Sequence, residues 1–122
     1  MILADTTVWI DHLRRNNPQM QKLLDGGQVF MHPFIVAELA LGSLHDRRKT
    51  LAELGGLLTV NVAKLSEVRQ MIEAHCLYAK GIGLTDAHPL ASCLITPGTR
   101  LWTRGNALGD VAEALGVRAK LP

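Results

Sequence analysis

Along the chain, short aliphatic runs alternate with segments in which apolar residues return at helical spacing. Met1 to Ala4 reads as a buried strand, and Thr6 or Thr7 caps a helix through Trp9, Ile10 and Leu13. NNP breaks that pattern before a short helix through Met20, Leu23 and Leu24, which DGG ends. QVFMH reads as a second strand, and PFIVAELALG as a helix with Pro33 at its start and Gly42 at its end. After the basic turn HDRRK, a helix runs through Leu51, Leu54 and Leu57, followed by the short strand candidate LLTVNV. From Ser66 a longer helix places Val68, Ile72, Cys76 and Ala79 on one face.

The loop KGIG leads into the helix TDAHPLASCLI, then RLWTR as strand, NALGDVAEALG as helix and VRAKL as a last strand. Pro89 sits about one position past the donors that a helix start leaves free, which predicts an irregular first turn. This alternation of β and α elements with short connections predicts one α/β domain over residues 1–122, built around a mostly parallel sheet. Ligands of such sheets collect at the carboxyl ends of the strands.

Composition narrows the picture. At 122 residues the chain builds a single core without metal or disulfide staples. Hydrophobic residues at 48% and charged residues at 20% exclude a disordered chain. Aromatics at 4% make base stacking a poor main mode of nucleic-acid binding. The net charge of +2 is compatible with nucleic acid without being diagnostic. Cys76 and Cys93 sit in apolar helical patterns and read as reduced core residues. No run approaches the ~18 apolar residues of a membrane span, and no signal peptide is visible, so a cytoplasmic protein is expected.

Three segments each carry one carboxylate among aliphatics: Asp5 after the first strand, Glu38 on a helix that is apolar nearly all round, and Asp86 just inside a helix start. Buried carboxylates are rare unless they are paired with a cation or a metal, and no basic residue shares these segments. Each has a plainer reading alone: Asp5 as a helix cap, Glu38 reaching solvent, Asp86 complementing a helix dipole. Three carboxylates converging on one cleft would repel one another until a divalent cation binds, and oxygen-only ligand sets suit Mg²⁺ or Mn²⁺. The chemistry of such a site is metal-activated water attacking a phosphodiester.

MILADTTVWIDHLR, HPFIVAELALG, GIGLTDAHPLAS and RLWTR, in that order, resemble the PIN-domain toxins of the VapC type, the ribonuclease half of bacterial VapBC toxin–antitoxin pairs. The resemblance implies a PIN-like three-layer α/β/α sandwich. It implies a Mg²⁺- or Mn²⁺-dependent endoribonuclease acting on structured RNA such as tRNA or rRNA and inhibiting translation. It also implies a homodimer and a cognate VapB-type antitoxin. Carried over to this sequence, Asp5, Glu38 and Asp86 match the family's first three acidic residues, and Thr7 the small hydroxyl residue beside the first aspartate.

The chain departs from the family at the fourth acidic position, where TRGNALGD places Gly105. Asn106 offers a neutral oxygen next door, and Asp110 reads as a solvated helix residue. Gly105 has three readings: a natural variant with weaker or single-metal activity, a degenerate toxin that keeps antitoxin or RNA binding as a dimer, or a substitution made so that a toxic protein can be produced. Of the basic residues, Arg104 is the first candidate for a substrate phosphate. The five histidines show no zinc spacing, and Trp9 and Trp102 read as core.

Overall fold

In a computed structural model that describes all 122 residues, β1 (Ile2–Ala4) lies at the centre of a three-stranded parallel sheet of order β2-β1-β3. The outer strands are β2 (Val29–Phe30) and β3 (Arg100–Trp102), with Ile2 opposite Val29 on one side and Arg100 on the other. Leu3 and Ala4 are both fully buried, as are Leu101 and Trp102 in β3. Successive strand residues point to opposite faces, so both faces of the sheet are covered by helices, which is the layering of a PIN-like α/β fold.

The helices fill the intervals. After β1 come α1 (Thr6–Arg15) and α2 (Pro18–Asp25); after β2 come α3 (Pro33–Ala40), α4 (Arg47–Gly55), α5 (Leu65–Ala74) and α6 (Leu84–Ile95); α7 (Asn106–Ala114) follows β3. Their starts follow from local chemistry. Asn17 accepts from the Met20 N–H at 3.1 Å and Pro18 opens α2; His32 Nδ1 accepts from the Phe34 N–H at 3.0 Å and Pro33 opens α3. The Arg47 guanidinium closes α3 by donating to the carbonyls of Ala40 and Gly42 at 2.6 and 3.3 Å.

Four sequence expectations change. LLTVNV and VRAKL are not strands but single-residue parallel pairings, Met31 with Thr59 and Leu101 with Arg118. The first pairs no further because the next donor towards it would be the N–H of residue 33, and Pro33 has none; the Asn61 N–H, on the other side, goes to the Thr96 hydroxyl at 3.1 Å. The helix from residue 65 stops at Ala74, and Cys76 is exposed with φ of 52°. There the Leu77 N–H reaches back to the Ile72 carbonyl at 2.9 Å, a left-handed helix end that puts Leu77 in the core where periodicity placed Cys76. Ala79, also left-handed at 57°, lies outside the helix as well. Finally, α6 runs unbroken through buried Pro89, and its first turn is bonded, with the Asp86 and Ala87 N–H groups both donating to Gly83 O. Cys93 is buried as expected, and burial pushes its thiol up to about 12.

Candidate active site

Asp5 joins strand to helix. Its N–H donates to the Trp102 carbonyl at 2.9 Å, continuing the pairing of β1 with β3, and its side chain caps α1. Oδ1 accepts from the N–H groups of Thr7 and Val8 at 3.0 and 3.3 Å and from the Thr7 hydroxyl at 2.5 Å. Oδ2 accepts from the hydroxyl of Thr103, just beyond β3. The helix-cap reading therefore holds, yet it uses one oxygen only; the second is held by a residue 98 positions away. Burial pushes the Asp5 carboxyl above its ordinary value, against the pull of the Thr103 and Thr7 hydroxyls and the two amides.

The two threonines pass the connection on. Thr7 Oγ1 accepts from the Arg104 N–H and Thr103 Oγ1 from the Gly105 N–H, each at 3.0 Å. The loop from β3 to α7 is thereby fastened to Asp5 through both of its carboxylate oxygens.

Glu38 lies on α3, half-buried. Its carboxyl is raised first by burial and next by the negative charge of Asp86, with a smaller contribution from Asp5; the neighbouring Thr85 hydroxyl works against them. Asp86 occupies the third position of α6 and reaches back to the Gly83 N–H at 3.4 Å, half of a capping box. Glu38 thus feels the charges of both Asp86 and Asp5, three carboxylates from separate parts of the fold, of which Asp5 stands at the carboxyl end of β1. Glu38 also borders a cavity of about 480 Å³ between α1 and the turn after α3, lined by Ile10, Leu13, Leu39 and Leu44 with Arg14 and His45.

No three histidine, cysteine, aspartate or glutamate side chains stand close enough to form a closed ligand cluster. An open arrangement still suits a hard divalent ion. The donors are all carboxylate oxygens, Glu38 carries the repulsion that a cation would relieve, and Mg²⁺ keeps several waters rather than demanding a full protein cage.

The remaining candidates fall out unequally. Gly105 is the residue before α7, with an ordinary φ of −75°; a Cβ there would meet only Thr103 Oγ1, at 3.5 Å, so neither backbone nor space requires glycine. Asn106 is exposed at the start of α7 and makes no side-chain hydrogen bond, so it does not join the network. Asp110 is exposed. The Arg104 guanidinium is held by Asp11, Nη2 to Oδ2 at 3.1 Å. Asp11 and Thr103 escaped the sequence reading. Thr103 had a usable signal, since it follows a strand end as Asp5 does; Asp11, with Arg14 and Arg15 in the next turn, reads as an ordinary helix ion pair and had none beyond its spacing of one turn from Thr7.

No protein-family model matches the chain. Curated proteins similar to it include Ribonuclease VapC32 from two strains of Mycobacterium tuberculosis, ATCC 25618 / H37Rv and CDC 1551 / Oshkosh. Each is 38% identical over 117 residues, covering 96% of this chain and 94% of the relative.

Proposed function

The chain belongs to the VapC family of ribonucleases, and from that footing we propose that it is the toxin of a bacterial toxin–antitoxin pair, an endoribonuclease that cuts structured RNA such as tRNA or rRNA and so inhibits translation. The observation that carries this reading is that Glu38 feels the charges of both Asp86 and Asp5, the last of which stands at the carboxyl end of the central strand. Asp5, Glu38 and Asp86 would hold Mg²⁺ or Mn²⁺, which when bound activates water and stabilises the leaving oxygen of a phosphodiester. Thr7 and Thr103 fix the Asp5 carboxylate in place, and Arg104 offers its guanidinium to a substrate phosphate.

The partners we assign are an RNA substrate, a VapB-type antitoxin and a second copy of the chain. Support for protein partners comes from Leu41 and Leu58, exposed at 89% and 65%. No helix is long and apolar enough to cross a membrane, in keeping with the cytoplasmic location we assign.

Gly105 favours a second reading, a weakened or inactive protein that keeps its binding functions. Removing a carboxylate from a Mg²⁺ site takes away one oxygen ligand and one negative charge. Cleavage of total tRNA and rRNA by the chain and by Gly105→Asp, with Mg²⁺, Mn²⁺ or EDTA, separates the two. A Cβ at residue 105 makes only an ordinary contact, so Gly105→Asp should cut at least ~10-fold faster, roughly what one ion-stabilising group contributes. EDTA should stop both. Cleavage that EDTA leaves intact rules out the metal mechanism, and no cleavage by either chain rules out the nuclease reading of these residues.

A further inference from the structure

Arg104 is tied at both ends. Its N–H donates to Thr7 Oγ1, which itself donates to Asp5, and its guanidinium meets Asp11 at 3.1 Å. Thr7 and Asp11 are one turn apart on α1 and therefore share a face, so a single stripe of that helix holds both the backbone and the side chain of residue 104. Asp11 itself is well fixed. Its side chain is only 15% exposed, and Asn17 Nδ2 donates to its Oδ2 at 3.1 Å. Arg15 Nε stands 3.6 Å from its other oxygen.

The group therefore sets two guanidinium ions against one carboxylate and keeps a net positive charge one turn of α1 from Thr7, which bonds Asp5. The Arg104 side chain is 45% exposed. A guanidinium has five N–H donors in a rigid fork, and a bond from Nη2 to Asp11 leaves the others free for a planar, bidentate partner. A long side chain fixed in advance loses less freedom when it meets that partner.

We propose that Asp11 is a positioning residue for RNA: it holds the Arg104 guanidinium at the rim of the carboxylate group, where its remaining N–H groups meet a substrate phosphate. The proposal rests on the ribonuclease reading and adds to it a residue that never touches the substrate. It differs from an ordinary surface ion pair, whose loss would leave RNA binding unchanged.

The test is binding of a labelled RNA hairpin in EDTA, which separates binding from cleavage and from the effect of Gly105. Arg104→Ala should weaken binding about tenfold, roughly one charge-assisted hydrogen bond, and lower the salt slope by about one. Asp11→Asn should weaken binding to a similar degree, add nothing in the Arg104→Ala background, and be rescued by Asp11→Glu. Circular dichroism at the assay temperature confirms that each variant is folded. Tighter binding by Asp11→Asn would mean that Asp11 competes with the phosphate, and overturns the proposal. So does equal weakening by Asp11→Asn whether or not Arg104 is present. If the unaltered chain binds RNA and Asp11→Asn is indifferent, only the positioning role fails; if the unaltered chain binds no RNA, the ribonuclease reading fails with it.

Discussion

A buried carboxylate needs donors to offset its lost hydration, and Asp5 has four of them on two oxygens, though burial still raises it. Thr103 is the one whose loss is felt twice, because its hydroxyl also accepts from the Gly105 N–H. Thr103→Val keeps the shape and removes both bonds. It should cost about 2 kcal/mol by urea denaturation, with Thr103→Ser close to the unaltered protein. The pH dependence has a definite sign. A carboxyl raised in the folded state contributes most stability below its ordinary value, and that contribution is lost as the pH rises through the raised one. Removing a donor raises Asp5 further, so the deficit of Thr103→Val should be larger at pH 7 than at pH 4. At this scale the sequence singled out Asp5, Glu38 and Asp86 as candidates, because a lone charge among aliphatics stands out. It was silent on Asp11, because a carboxylate with Arg14 and Arg15 in the next turn passes for an ordinary helix ion pair.

Two of the acidic residues ride on helices, so their separation depends on how α3 and α6 are joined. His32, fully buried at the start of α3, faces Ser92 of α6 with Nε2 at 3.1 Å from the hydroxyl. Nδ1 accepts from Phe34, so Nε2 carries the proton, and Ser92 Oγ accepts it while donating to the His88 carbonyl at 2.9 Å. Ser92 Oγ also accepts from the Ala63 N–H at 3.1 Å, which brings in the chain before α5. Burial first, and the charge of His88 second, lower His32 from 6.5 to about 4. A base held neutral in this way contributes stability that is lost as the pH falls through that window, up to about 3 kcal/mol. His12 is lowered in the same direction, so the assignment needs a variant. Between pH 6.5 and 4 the urea midpoint of the unaltered protein should fall, and that of His32→Gln should fall less steeply; parallel curves would remove His32 as the cause. None of this was legible beforehand, because the spacing from His32 to Ser92 carries no local pattern. The misplacement of Cys76 has the opposite origin: the apolar period continued in the sequence past the point where the chain turned, and no glycine marked the end.

For the molecule as a whole, the alternation of strands and helices was legible and the width of the sheet was not. Pairing depends on partners far away in the chain, and the edge segments each meet the sheet at one residue only. The last residues nevertheless do work on β3. The Ala119 N–H donates to Leu101 O at 2.8 Å, and Pro122 O accepts from the buried Trp102 indole at 3.3 Å. Deleting residues 119–122 should lower stability by about 2–3 kcal/mol, shift tryptophan emission to the red and expose an edge of the sheet. An unchanged urea midpoint would show that the edge is held by the helices alone.

The hydrogen bond between Thr103 and Asp5 also sets an order in time. Asp5 leaves the ribosome 98 residues ahead of its partner. At the usual pace of bacterial synthesis that gap is roughly 5–20 s. Throughout it the central strand lacks β3, and the carboxylate that begins the site lacks half of its support. A ribonuclease of this family thus completes the support of its first aspartate only once the chain has been made through Thr103, however early the central strand emerges.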